Sequence, residues 1–377
     1  MRDTSSEPTF GLPSDRGGKD LGLFLPMANG GWIMSFNAPP LDGSYAYNRQ
    51  CAVLADELGL DFVMAMAKWR GYGGPRGHWD TSLDSQIMIA GLAEATSRVK
   101  VWATVHTFLQ NPAVTAKKMA TLDQISHGRA GLNVVTGSYK AEFDQMGAWP
   151  DLGHDQRYDL AAEWVQAVKR LWSEPSVTMH GKHVRLEDCR SDPKPVSDPR
   201  PFLVCAGMSP KGMEFTLEHM DAIFLTGRDN DHLAEVSRDA KARSRAFGRT
   251  IRTYTMMTIV LGETDAAAQA QAESFREGLD EEALRGMMRA YGFLDAELNQ
   301  ENAFVASARS SFMTPRLIGS PDSVAEQAIA LLERAELDGL MVIFPDYLND
   351  MKVFAEVVAP KIRAHFAKAE PEIAHAR

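Results

Sequence analysis

Short apolar segments alternate with helical patterns along most of the chain. Eight of these segments have the length and composition of buried strands: Lys19–Pro26, Leu60–Met66, Val101–Val105, Arg129–Gly137, Phe202–Ala206, Asp221–Leu225, Thr253–Leu261 and Asp338–Phe344. Both faces of each segment are apolar, as expected for parallel strands that helices cover on both sides. An open doubly wound sheet would fit this alternation, but eight repeats in one chain favour an α/β fold of the (β/α)8 TIM-barrel type.

Helical patterns occupy the intervals between these strands. They cover Tyr47–Gly59, Ser85–Ala95, Ala113–Ile125, Tyr158–Trp172, a segment that begins at Ser209, Leu233–Phe247, Pro321–Ala335 and a terminal helix to Phe366. Two stretches interrupt the alternation: a hairpin at Ser176–Leu186 before a proline-rich linker, and a mostly helical, irregular insertion at about 262–316. We expect one barrel domain over residues 1–377, with this insertion over the carboxyl-terminal face of the strands.

Composition narrows the possible partners. The chain has 377 residues, a net charge of −10 and three cysteines without CxxC spacing. The acidic balance argues against nucleic acids and anionic membranes, which need basic patches. No apolar run approaches the ~20 residues that cross a bilayer, and no signal-peptide core begins the chain. The cysteines fit a reducing compartment, so we expect a cytoplasmic protein that acts on a small molecule.

Polar residues stand at the ends of three predicted strands. Asn133 lies in an otherwise apolar strand, Thr104 ends the preceding strand, and Ala67 and Lys68 close the second one. In a barrel, strand ends are where catalytic groups are housed. Each residue also has a structural reading, since threonine favours strands and a terminal lysine often reaches solvent. The amide of Asn133, which needs partners if buried, is the strongest candidate for a functional group.

Two predicted helix starts could hold a phosphate. Arg157 and Tyr158 stand at the start of one helix, and Ser209 begins another. Helix amino termini present unpaired N–H groups and a partial positive charge, so they suit an anion. An N-cap at Ser209 and a surface ion pair at Arg157 would explain the same residues without a ligand.

Sequence motifs for other cofactors are missing. The chain contains no GxGxxG, GxxxxGK[ST] or GxSxG motif, and its ten histidines form no HxxxH or HExxH spacing. Dinucleotide binding of the Rossmann type, P-loop chemistry and a serine-nucleophile elbow therefore lack motif support. We expect no metal site.

Several short patches of the sequence are distinctive: Asn29-Gly-Gly-Trp32, Lys68-Trp-Arg-Gly71, Asn133-Val-Val-Thr-Gly137, Glu142-Phe-Asp-Gln-Met-Gly147, Arg157-Tyr-Asp159, Cys205-Ala-Gly-Met-Ser209 and Ile318-Gly-Ser-Pro-Asp-Ser-Val-Ala325. Together they resemble bacterial luciferase-like, flavin-dependent monooxygenases, and within them the branch of pyrimidine oxygenases. The resemblance implies a TIM barrel that binds reduced FMN, made by a separate NAD(P)H-dependent flavin reductase. It also implies oxidation of a small pyrimidine-like heterocycle such as uracil with O2, and a homodimer or homotetramer.

The resemblance also implies roles for individual residues. It places Asn133 and Thr104 in the pocket where oxygen reacts, and it makes Lys68 an electrophilic helper for a developing oxyanion. The flavin contacts that it implies are Ala67, Lys68, Glu142 and, at the ring edge, Asn133, with Arg157, Tyr158 and Ser209 at the phosphate.

Departures from the pattern leave the substrate open. Ser138 stands where the pyrimidine-oxygenase branch carries tryptophan, and the loop Gly30–Tyr45 and the region Gly278–Pro315 diverge. Another heterocycle or a sulfur compound is an alternative substrate. A deazaflavin-dependent hydride-transfer enzyme and a non-catalytic flavin-binding protein are alternative functions.

Overall fold

Eight parallel strands form a closed barrel in the computed structural model, which describes residues 9–293 and 309–367. The barrel order is β1–β2–β3–β4–β7–β8–β9–β11, and β11 pairs with β1 to close the ring. The strands are β1 (Asp20–Phe24), β2 (Phe62–Met64), β3 (Lys100–His106), β4 (Ala130–Val135), β5 (Val177–His180), β6 (Arg185–Cys189), β7 (Phe202–Cys205), β8 (Ala222–Leu225), β9 (Arg252–Leu261), β10 (Arg316–Gly319) and β11 (Gly339–Ile343). The predicted (β/α)8 barrel is confirmed.

Helices connect the strands and cover the outside of the barrel. They are α1 (Tyr45–Glu57), α2 (Ser85–Ala95), α3 (Pro112–Ile125), α4 (Lys140–Asp144), α5 (His154–Ser173), α6 (Pro210–His219), α7 (Asn230–Ala246), α8 (Asp265–Glu277), α9 (Glu281–Ala290), α10 (Pro321–Arg334), α11 (Tyr347–Val353) and α12 (Ala359–Ala367). A 3₁₀ helix, Pro13–Arg16, precedes β1, and a π-helical turn, Phe354–Val358, joins α11 to α12. The described part of the chain contains no helix that is long and apolar enough to span a membrane.

One strand was not predicted. The sequence pattern ended the insertion at about residue 316 and assigned no strand before the helix at Pro321, but Arg316–Gly319 form β10. This strand pairs in parallel with Thr258–Leu261, whereas β11 pairs with the earlier residues Tyr254–Thr258 of the same long strand. The carboxyl-terminal half of β9 thus extends past β11, and there β9 forms its backbone hydrogen bonds with β10. A four-residue strand is too short to show periodicity in a sequence.

Aromatic rings fill the lower barrel interior. Trp102 stacks on Phe62 with ring centroids 3.9 Å apart and on Phe202 at 5.0 Å. Gly131 makes room for this layer, since a Cβ atom there would lie 2.3 Å from the Trp102 ring. Side chains alternate along a strand, so Thr104 occupies the same interior face one layer closer to the carboxyl end.

The predicted insertion contacts loops at the carboxyl end of the barrel. Its described part includes α8 and α9, and residues 294–308 lie outside the described residues. The N–H of Asp280 donates to the carbonyl of Met34 at 2.9 Å, in the loop after β1. Gly286 of α9 lies against the carbonyl of Tyr72, in the loop after β2. The insertion therefore covers the end of the barrel where the candidate residues lie.

Candidate active site

Asn133 and Thr104 form a hydrogen-bonded pair across β3 and β4. The two residues are in register, and Asn133 Nδ2 donates to Thr104 Oγ1 at 3.0 Å. Thr104 Oγ1 donates in turn to the carbonyl of Ala65 at 2.6 Å. Ser85 Oγ accepts from the Thr104 N–H at 2.8 Å and donates to the same carbonyl. This chain of bonds fixes the orientation of both side chains.

These hydrogen bonds leave one atom of the Asn133 side chain without a partner. Its Oδ1 atom is buried and accepts no hydrogen bond from the described residues. A buried acceptor without a donor costs about 1–3 kcal/mol. Because Nδ2 already donates to Thr104, the orientation of the amide is fixed and Oδ1 remains an unpaired acceptor. Such an atom suits an N–H group of a ligand.

Lys68 and Glu142 form a buried ion pair beside this layer. Lys68 Nζ lies 3.1 Å from Glu142 Oε2, and the Trp69 N–H donates to Glu142 Oε1 at 2.6 Å. The ammonium group also lies 4.7 Å from the Tyr72 ring centroid and 4.9 Å from that of Tyr139. Burial lowers the pKa of Lys68, and the Glu142 carboxylate opposes this shift. Ala67, just before this pair, is half-buried.

Tyr158 and Ser209 meet at the start of α6. Ser209 is the N-cap of this helix, and its Oγ accepts from the Gly212 N–H at 3.1 Å. The hydroxyl groups of Ser209 and Thr136 lie near the Tyr158 phenol; burial raises the pKa of Tyr158, and these hydroxyl groups reduce the rise. A Cβ atom at Gly212 would lie 2.6 Å from the Tyr158 oxygen, so glycine permits this close contact. Three hydroxyl groups therefore converge at a helix amino terminus.

Arg157 has a different set of neighbours from Tyr158. Its guanidinium group lies 4.6 Å from the Trp149 ring centroid and donates to the carbonyl of Leu152 at 3.3 Å. Its Nε atom is buried without a partner among the described residues, and burial lowers the pKa of the side chain. The guanidinium thus retains a free donor, although no described contact joins it to Ser209.

His106 was not a candidate in the sequence. It lies on β3 two residues after Thr104 and is 7% exposed. Its ring contacts the Phe143 ring edge-on, with centroids 4.8 Å apart. Burial, and secondarily the charge of Lys68, lower the pKa of His106 to about 3. The sequence feature that could have identified His106 is its spacing from Thr104: two polar residues, two positions apart, occur in an otherwise apolar strand.

The structure thus brings the predicted residues together in three groups. Asn133 with Thr104, Lys68 with Glu142, and Tyr158 with Ser209 are each in contact. Ser85 hydrogen-bonds Thr104, and Trp149 contacts Arg157. Neither residue was predicted, because only the folded chain brings each pair together. Within residues 9–293 and 309–367, no group of three His, Cys, Asp or Glu side chains could hold a metal ion.

Similar sequences agree on one family. The model of the luciferase-like monooxygenases matches residues 20–338. The pyrimidine monooxygenase RutA of Acinetobacter baylyi is 34% identical over 349 residues, which covers 90% of this chain and 94% of that protein. RutA of Methylobacterium radiotolerans is 36% identical over 366 residues, with coverage of 94% and 95%.

Solved structures agree on the fold. Riboflavin lyase RcaE, solved with modified FMN and riboflavin, superposes with a TM-score of 0.83 at 23% identity, covering 92% of both chains. The long-chain alkane monooxygenase LadA gives a TM-score of 0.80 at 21% identity with the same coverage. With the barrel, the family match and relatives above 30% identity over nearly the whole chain, the protein belongs to the luciferase-like monooxygenase family.

Proposed function

We propose that this chain is the oxygenating component of a two-component, FMN-dependent monooxygenase that acts on a pyrimidine such as uracil. The observation that carries the proposal is the fixed Thr104–Asn133 pair with its free Oδ1 acceptor at the carboxyl end of the barrel. The relatives named pyrimidine monooxygenase support the substrate class. When bound, reduced FMN supplies the electrons that activate O2.

The residues at the barrel mouth fit a flavin. Asn133 would accept a hydrogen bond from the reduced ring through its free Oδ1, while Thr104 holds the amide in that orientation. Ala67 and Lys68 would line the ring, and Lys68 would offer positive charge to an oxygen that gains negative charge. Glu142 accepts from both Lys68 and the Trp69 N–H, so its role would be to position the ammonium group.

The phosphate would lie at the amino terminus of α6. Ser209 and Tyr158 supply hydroxyl groups there, and the helix end supplies N–H groups and a partial positive charge. The free Nε donor of Arg157 would bind from the side of Trp149. Apolar rings and the insertion would exclude water from the reacting groups.

The proposal includes a transient flavin reductase, a cytoplasmic location and a homo-oligomer. Three free cysteines, of which Cys51 and Cys205 are buried, are compatible with a reducing compartment.

Turnover with purified components tests the proposal. The chain is mixed with a flavin reductase, NADH, FMN and uracil, and ring-opened product is measured by mass spectrometry with and without O2. Product that requires both FMN and O2 is expected. Turnover in the absence of O2 would instead indicate hydride transfer, and tight FMN binding without any product would indicate a binding protein.

A further inference from the structure

His106 lies on the same face of β3 as the residues of the oxygen pocket. Alternation along the strand places Trp102, Thr104 and His106 on one side. Trp102 stacks inside the barrel, so this side faces the interior. His106 is in register with Val135 of β4, one layer beyond the Thr104–Asn133 pair. It is therefore the last interior side chain of β3 before the barrel mouth.

The imidazole ring is buried but makes no hydrogen bond within the described residues. Its Nδ1 atom is fully buried without a partner, and the ring contacts Phe143 and Phe108 instead. A buried polar atom that stays unpaired is energetically unfavourable. A ligand in the mouth of the barrel would remove this penalty.

The free polar groups on this face carry no charge. His106 is neutral at physiological pH, because burial and Lys68 disfavour its protonation, and a neutral imidazole offers one donor and one acceptor. The free amide oxygen of Asn133 has two lone pairs, so it can accept from the flavin and still accept a second N–H group. The nearby charges of Lys68 and Glu142 offset each other at 3.1 Å. A ligand with a permanent negative charge would find the Lys68 ammonium group already paired with a carboxylate, whereas N–H and C=O groups would find partners.

Given the proposed function, we propose that His106 contacts the substrate directly and, together with Asn133, selects an uncharged cyclic amide. The recognised group is a ring N–H beside a C=O, as in uracil. Carboxylated or sulfonated relatives of the substrate would be rejected, because their charge would be desolvated without a counter-ion.

Substrate titrations of a His106→Phe variant test this inference. Phenylalanine keeps an aromatic ring against Phe143 and removes both nitrogens. Uracil, 1-methyluracil, 3-methyluracil and the anionic orotate are titrated calorimetrically into protein saturated with oxidised FMN, and FMN affinity is measured separately by fluorescence. His219→Phe is the matched control, since His219 is also a buried histidine with a pKa lowered to about 4, in α6 away from the barrel mouth.

The parental protein should bind uracil at least tenfold more tightly than orotate and than one of the methylated rings. His106→Phe should lose at least tenfold in uracil affinity and most of this discrimination, with FMN affinity within threefold, and His219→Phe should behave as the parent. If His106→Phe does not fold, His106→Leu undergoes the same titrations.

Two results separate this inference from the proposed function. A parental protein that oxidises uracil while the His106 variant binds it equally well overturns the role of His106 alone. A parental protein that binds orotate more tightly than uracil also overturns the role of His106 alone. A parental protein that neither binds FMN nor oxidises any of these rings overturns the proposed function, and the inference falls with it.

Discussion

The amide of Asn133 is held on one side and free on the other. Thr104 accepts from Nδ2, and nothing in the described residues donates to Oδ1. Both Asn133 and its partner Thr104 lie at the carboxyl end of the barrel strands, where an unpaired acceptor can meet a ligand. The arrangement therefore favours the functional reading of Asn133 over the structural one.

We expect Asn133→Ala to keep its fold and its FMN affinity within tenfold, while product formation falls about 100-fold or more, the usual loss for one preorganised hydrogen-bonding group. Product assays and FMN titration check this. Asn48→Ala is the control, because Asn48 is also a buried amide with an unpaired Oδ1, but its Nδ2 contacts backbone carbonyls of Pro26 and Ser44. Parental turnover in Asn133→Ala would refute the assignment.

The Lys68–Glu142 pair should be strongly coupled. Both side chains are buried, so removing one partner leaves an uncompensated charge, at a cost of about 3 kcal/mol or more. We expect Lys68→Met and Glu142→Leu each to lower the free energy of unfolding by about that amount, and the double variant to lose clearly less than the sum. Urea denaturation of the four proteins measures this. Additive losses would mean that the pair does not interact in solution.

At this scale, the predictable residues are those whose polarity stands out in an apolar strand. Asn133 and Thr104 were predicted for that reason, whereas His106, which belongs to no metal-binding spacing, was not. Ser85 and Trp149 could not be found, since their partners are 19 and 8 residues away and only the folded chain brings them together. The contact between Lys68 and Glu142 could not be predicted either, because 74 residues separate them in the sequence.

At the scale of elements, the barrel strands were predictable because each is a short, wholly apolar run. The strand that the sequence pattern missed, β10, depends on pairing with another strand in the folded chain. β10 forms only because β9 offers a free edge over Thr258–Leu261. The Ser176–Leu186 hairpin was predicted and is confirmed as β5 and β6, with its second strand ending at Cys189.

Helix α9 should depend on a glycine for its close packing against the loop after β2. A Cβ atom at Gly286 would lie 1.9 Å from the Tyr72 carbonyl oxygen, so Gly286→Ala must shift the helix or the loop. We expect a folded barrel with a raised KM for uracil and faster amide hydrogen exchange in residues 67–82. Gly153→Ala is the control, since the nearest atom there is 3.5 Å from the added Cβ. Unchanged exchange in Gly286→Ala would show that this contact is not tight.

At the scale of the whole molecule, the two ends of the barrel differ in purpose. The carboxyl end holds the candidate site, whereas the amino end is closed by the 3₁₀ helix. There, Asp20 accepts from the Ser14 N–H and hydroxyl at 2.8 and 2.5 Å, and from the Tyr254 hydroxyl at 2.7 Å. Burial raises the pKa of Asp20 to about 7. In TIM barrels this end serves stability.

Asp20 should make stability depend on pH. Its folded pKa exceeds the unfolded value of about 3.9, so the folded state binds more protons between these values and stability falls as pH rises through them. From pH 5 to pH 8 we expect the parental protein to lose about 2 kcal/mol more than Asp20→Asn, as measured by urea denaturation. FMN binding should be unchanged in the variant. Equal pH profiles would contradict the raised pKa.

In the proposed function, this barrel uses reduced FMN to transfer oxygen from O2 to a pyrimidine. The most direct measurement is a single turnover: protein, reduced FMN and uracil are combined without air, pulsed with ¹⁸O₂, and the product is analysed by mass spectrometry. We expect a ring-opened product that carries at least one ¹⁸O atom, formed only when the protein is present. An unlabelled product, or flavin oxidation that leaves uracil intact, would contradict it.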